Sequence, residues 1–137
     1  MEENEQVMIE AAREAGKKAY APYSGFKVGA CARGGSGRLY TGSNVENASY
    51  GAACCAERVA IFSAVAAGER EITHVAIATN DADTVTPCGI CRQVMAEFGP
   101  HARVLCAGAD GNVAIYDAAD LLPHAFTLST KDKEGCL

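Results

Sequence analysis

The 137-residue sequence has no tryptophan, only 4 prolines and an aromatic fraction of 7%. It has no apolar run approaching the roughly 18 residues that a membrane-spanning helix needs. It has no block of lysine and arginine: the close cationic pairs are Lys17 with Lys18, and Lys131 with Lys133, the latter mixed with Asp132 and Glu134. The formal net charge of -5 repels polyanions, so a nucleic-acid polymer is not the expected partner. The opening residues, MEENEQVM, are acidic and lack the basic and apolar regions of a secretory leader. No membrane association is expected, and the expected location is the cytoplasm. Cys136 is second from the end rather than fourth, so no prenylation box is present.

Hydrophobic residues make up 49% and charged residues 21%, the balance of an ordinary soluble globular protein. The length suits one domain, 1–137, with a real core and little room for a second. From about residue 128 the chain reads as a polar tail. Cysteine, at 7 residues, is well represented. In a reducing compartment these thiols are not a disulfide framework, and their odd number agrees.

Apolar residues at 7, 8, 11, 12, 15 and 19 give helical spacing over residues 5–20, with acids early and lysines late. FKVGACARG and RLYTGSNV read as two strands joined by the turn GGSG. AERVAIFSAVAAG is apolar nearly all round and predicts a buried helix stopped by Gly68. HVAIAT (74–79) predicts a buried strand, CRQVMAEFG a third helix, ARVLCAG and VAIYD two more strands. AADLLPHAF starts helically and stops at Pro123. Alternation of helix and strand in the second half, with a hairpin before it, predicts a layered α/β domain on a mixed sheet.

Cys88 and Cys91 form a CxxC at a helix start. Unpaired N–H groups and the positive dipole end stabilise thiolate there. Such a pair suits both zinc and disulfide exchange, and the motif alone does not choose. Cys55 also lies at the mouth of a predicted helix, where it and Glu57 can both face the open end. Two helix mouths can thus bring Cys55, Cys88 and Cys91 around one metal. Three protein ligands leave a fourth tetrahedral position open, the pattern of catalytic rather than structural zinc. A water there has a pKa near neutrality. Three thiolates give the site an excess of negative charge, which Arg58, in the same turn as Glu57, is placed to offset; Arg92 is a second candidate.

The pattern Cys55-Ala56-Glu57 followed by Pro87-Cys88-Gly89-Ile90-Cys91 matches the known signature of zinc deaminases. The likeness covers nearly the whole chain: YAPYSGFKVGA (20–30), GSNVENASYG (42–51), CAERVAIF (55–62), TPCGICRQV (86–94) and DLLPHAF (120–126) stand in order. The sequence resembles the short, tri-cysteine cytidine deaminases. The resemblance implies a three-layer α/β/α fold with a mixed sheet of about five strands. It implies one Zn2+ per chain on Cys55, Cys88 and Cys91, with Glu57 as proton carrier. It further implies that Asn44 and Glu46 hold the ribose hydroxyls and that Phe26 packs against the nucleoside. The Ala56 N–H and the Thr86 carbonyl would meet the base edge. Phe126, and Tyr50 with it, would contribute to a wall shared between subunits of a homotetramer. The implied reaction is hydrolytic deamination of free cytidine and deoxycytidine, a step of pyrimidine salvage. Cys54 beside the expected ligand, and Ile90 within the CxxC, depart from the family pattern without removing a functional group.

Each residue also has a plainer reading. Cysteines are often small buried hydrophobes, and Cys31 and Cys106, in predicted strands, are read as core. Glu57 suits a helix start for structural reasons alone. Asn44 and Glu46 are ordinary loop residues, and isolated aromatics default to core. Cys54 is read as core or near the metal rather than as a fourth ligand. His74, His101 and His124 lack ligand spacing. Three other functions stay open. A thiol-disulfide oxidoreductase would use Cys88 and Cys91, but it leaves Cys55 and Glu57 without purpose. A structural zinc module would need a fourth protein ligand. A deaminase of another nucleoside, such as an antibiotic nucleoside, would keep the metal site and change the sugar contacts.

Overall fold

Successive residues of a strand point to opposite faces, and the central strands of this chain bury both. In the computed structural model, which describes residues 1–129, β3 (Ile72–Thr79) sends Val75 and Ile77 to one face. Ala76 and Ala78 of β3 point to the other. β4 (Arg103–Ala107) does the same with Val104 and Cys106 against Leu105 and Ala107. On the first face lie α2 (Ala56–Ala66) and α3 (Gly89–Phe98), which contribute Ala60, Ile61, Ala64 and Met95. On the second lies α1 (Glu3–Gly16), with Met8, Ile9 and Ala12. The two cores make the fold a three-layer α/β/α arrangement.

The sheet is completed by β1 (Val28–Gly34), β2 (Leu39–Ser43) and β5 (Val113–Asp117), in the order β2-β1-β3-β4-β5. β1 pairs antiparallel with both β2 and β3, β3 pairs parallel with β4, and β4 pairs antiparallel with β5. The sheet is mixed with five strands, as expected. A 3-10 turn, Tyr50–Ala52, precedes α2, and the single-turn α4 (Ala118–Leu121) follows β5 and ends before Pro123. Cys31 and Cys106 are buried in the sheet as anticipated.

Two close approaches set the site. Gly29 of β1 lies so near α1 that an added Cβ would stand 1.8 Å from the Ala12 carbonyl oxygen. At Gly42 of β2 a Cβ would stand 2.6 Å from the Ala60 nitrogen and 2.8 Å from the Ala56 oxygen. The second contact seats the first turn of α2 directly on the strand that leads into Asn44.

Several sequence expectations need correction. α1 runs over 3–16 rather than 5–20, and its sheet-facing stripe is Glu5, Met8, Ile9, Ala12 and Gly16. Val7, counted as apolar face, is 54% exposed. Glu5, an acid, is fully buried because Arg103 pairs with it and it accepts the Glu2 backbone N–H. Nor is α2 buried all round: only the stripe facing the sheet is covered, and Phe62 is 46% exposed. The tail expected from about 128 lies largely outside the described residues, and so does Cys136.

Candidate metal centre and adjoining cavity

Helix N-termini need acceptors for their free N–H groups, and Ser, Thr, Asp and Asn supply them best. Both α2 and α3 begin instead on a cysteine. Cys55 caps α2 and Cys88 caps α3, each with extended backbone and neither with a side-chain capping bond. Both thiols therefore stand at the positive ends of helices, and Cys91 joins them from the first turn of α3. The three sulfurs lie within 4.8 Å of one another.

This geometry fits zinc. Four-coordinate zinc with sulfur at about 2.3 Å spaces its sulfurs about 3.8 Å apart, and the Sγ atoms of Cys55 and Cys88 are 3.6 Å apart. Charge fits as well. Hydrogen bonding from Cys91 holds the Cys55 thiol down at about 5 against the effect of burial, with help from Arg58 and Cys88. The same hydrogen bond, together with burial, pushes the Cys91 thiol up. A divalent cation lets all three ionise together. Cys54 is half-buried and stands outside the trio, so no fourth cysteine closes the site among the described residues.

Arg58 donates from Nη2 to Cys55 Sγ at 3.3 Å, as the sequence suggested. Its charge is reinforced first by that hydrogen bond. Arg92, the second candidate for that task, is directed elsewhere: it donates to Pro87 O, Leu121 O and Thr86 Oγ1. Glu57 is 5% exposed, and burial pushes its carboxyl up to about 7, with the Cys55 charge adding to the rise. A carboxyl in that range exchanges protons readily near neutral pH.

Beside the thiols opens a cavity of about 190 Å³. Phe26, Val28, Ile77 and Val85 give it apolar walls, while Asn44, Thr79 and Thr86 add polar edges. Cys55 and Cys88, with Ala56 and Glu57, form one end of it. Such a pocket suits a flat ring with a few directed polar contacts. Asn44 is partly committed: its Oδ1 accepts from Val28 N–H at 2.8 Å and its Nδ2 donates to Phe26 O at 2.9 Å. The second Nδ2 hydrogen has no partner among the described residues.

Three of the residues anticipated to contact the nucleoside do not line this cavity. Glu46 adjoins it in an open groove shared with Asn44, Cys54, Arg58 and Ile90. Its carboxylate accepts the N–H groups of Tyr23 and Ser24 and the Ser24 hydroxyl. Tyr50 lies in that groove at 88% exposure. Phe126 stands away from the cavity at 67% exposure. Ser24, which no spacing rule singles out, holds the Glu46 carboxylate in place. Its hydroxyl also accepts the Phe26 N–H at 3.0 Å, tying Glu46 to Phe26. The one signal available was its place inside the block YAPYSGFKVGA. A second group of possible ligands, Glu2, Glu5 and His74, lies on the α1 side, but Arg103 already neutralises Glu5 there.

Fold and site together define a three-layer α/β domain with three thiols clustered to hold a metal ion beside a buried acid and a cavity. The family model for the cytidine and deoxycytidylate deaminase zinc-binding region matches residues 1–107. The chain belongs to that family. It is 42% identical to a cytidine deaminase of Halalkalibacterium halodurans over 123 residues, covering 89% of this chain and 93% of that protein. It is 38% identical to a cytidine deaminase of Mycobacterium tuberculosis, covering 90% of each. The crystal structure of a cytidine deaminase from Burkholderia pseudomallei superposes with a TM-score of 0.86 at 48% identity, covering 92% of this chain and all of that one. Among the described residues no helix is long and apolar enough to cross a membrane.

Proposed function

We propose that this protein hydrolyses the 4-amino group of free cytidine and deoxycytidine, giving uridine or deoxyuridine and ammonia. The observation that carries the reading is the buried Glu57 carboxyl at the end of an apolar cavity, beside three sulfurs spaced for zinc. Cys55, Cys88 and Cys91 would hold the zinc, which would make a water nucleophilic near neutral pH. Glu57 takes a proton from the attacking water and delivers it to N3 of the pyrimidine. It then hands the second proton to the departing amine as the C4–N bond breaks. The first-turn N–H of Ala56 and the carbonyl of Thr86 read the edge of the base. Phe26 covers its face. Asn44 gives its remaining N–H to a sugar hydroxyl, and Glu46 accepts from another.

The exposure of Tyr50 and Phe126 supports a site completed by neighbouring copies, in a homotetramer whose subunits each lend an aromatic ring. The working unit is then one domain, 1–137, acting in the cytoplasm in pyrimidine salvage. Glu57→Gln tests the reading. The variant is expected to keep about one zinc per chain while cytidine turnover falls by about 10³-fold. Turnover near that of the parent would take Glu57 out of the chemistry.

A further inference from the structure

Cys91 is followed on α3 by Arg92 and Gln93, and both side chains reach the segment that carries Phe126. Arg92 spreads three donors over two segments. Its Nε donates to the Pro87 carbonyl at 2.7 Å and its Nη2 to Thr86 Oγ1 at 2.9 Å. Its Nη1 donates to the Leu121 carbonyl at 2.9 Å. Gln93 Nε2 donates to the Phe126 carbonyl at 2.9 Å. The segment so held has little regular structure of its own. α4 is one turn, Pro123 cannot continue it, and His124 takes a positive φ of 55°. Stretches with few internal hydrogen bonds open readily unless something outside restrains them. The restraint here comes from the helix that carries a metal ligand.

We infer that Arg92 and Gln93 are positioning residues for the nucleoside site: Gln93 fixes the arm that presents Phe126, and Arg92 fastens that arm to the 86–88 loop. The inference deepens the deaminase reading and rests on its assignment of Phe126 and Thr86 to the nucleoside. A planar guanidinium with five donors can serve the Thr86, Pro87 and Leu121 acceptors at once. A lysine ammonium is a compact point charge and cannot span them. The two residues should therefore respond differently to replacement. Gln93 needs only a donor at its tip, which lysine keeps and methionine loses, while all three residue types suit a helix equally. Arg92 needs its forked shape, so keeping the charge alone does not help.

The test uses the full-length, zinc-loaded enzyme, steady-state kinetics on cytidine, zinc content and melting temperature. Gln93→Met is expected to raise KM about three- to tenfold, the scale of one lost hydrogen bond, with kcat and zinc content unchanged. Gln93→Lys is expected to restore KM. Arg92→Lys is expected to raise KM and lower kcat together, because Thr86 and Pro87, which lead into Cys88, both lose their anchor. Phe126→Ala is expected to raise KM, with no further rise on adding Gln93→Met, since both act through one contact. Gln93→Met with an unchanged KM, while Phe126→Ala shows a raised one, overturns the inference and leaves the deaminase reading standing. Arg92→Lys behaving as the parent overturns the role of the fork. Phe126→Ala with an unchanged KM removes the purpose of the arm. A parent enzyme that does not turn over cytidine ends the functional reading itself.

Discussion

The start of α1 and the starts of α2 and α3 solve the same problem in opposite ways. At the start of α1 the Glu5 side chain reaches back to accept the Glu2 backbone N–H at 3.1 Å. α2 and α3 open on Cys55 and Cys88, with no capping bond from either side chain. A missing cap costs a helix about 1 kcal/mol. The helix that carries no chemistry satisfies its own end. The two that face the cavity leave theirs open and aim thiols across the gap. Departure from a local rule marks the site here, and obedience to it marks the scaffold.

Replacing Cys88 by Ser sharpens this contrast most. Serine is a good N-cap and a poor zinc ligand. Zinc affinity and turnover should fall by orders of magnitude, while the metal-free variant should melt no lower than the metal-free parent. Metal titration and thermal melts after chelation check both halves. A metal-free variant that is clearly less stable would show that Cys88 serves the helix as well as the metal.

Gly42→Ala comes next. Its Cβ would collide with the backbone of α2 at Ala56 and Ala60. The strand and helix must part, at about 1–3 kcal/mol, which moves Cys55 and Glu57 from the cavity. Turnover should fall more steeply than stability, as measured by kcat and denaturant midpoint.

Glu5→Gln should have the smallest effect on activity, none at neutral pH. Burial alone would push the Glu5 carboxyl up, but the Arg103 and Glu2 hydrogen bonds and the charges of Arg103 and His74 hold it below the usual range. Its contribution is therefore fully present above the ordinary carboxylate pKa and lost as pH falls through the lowered folded value. Because Arg103 is 46% exposed, the pair is worth only about 1–2 kcal/mol. Melting curves from pH 7 down to pH 3 should show parent and variant converging as the pH drops.

The contrast also explains what the sequence disclosed. The placement of the thiols, Glu57 and Arg58 at helix starts was legible as a local pattern, while the choice of zinc over disulfide exchange came from the family resemblance. Element order was legible from periodicity, since the strands of the core are short and apolar and polar loops separate them from the helices. Glu5 was not, because its partner Arg103 lies 98 residues away and an acid near a helix start has an ordinary explanation. Ser24, Gln93 and the true task of Arg92 were hidden for a related reason. Their partners are backbone carbonyls or single oxygens brought near only by folding, and no spacing rule announces them. Phe62, expected in the core, faces outward because the apolar circumference of α2 exceeds what one sheet can cover.

Diffraction at the zinc absorption edge from crystals of the parent protein tests the central claim most directly. The account predicts one anomalous peak about 2.3 Å from the sulfurs of Cys55, Cys88 and Cys91, with Glu57 nearby but not bound to it. A metal ligated by a fourth protein side chain, or sulfurs that hold no metal in active protein, would contradict it.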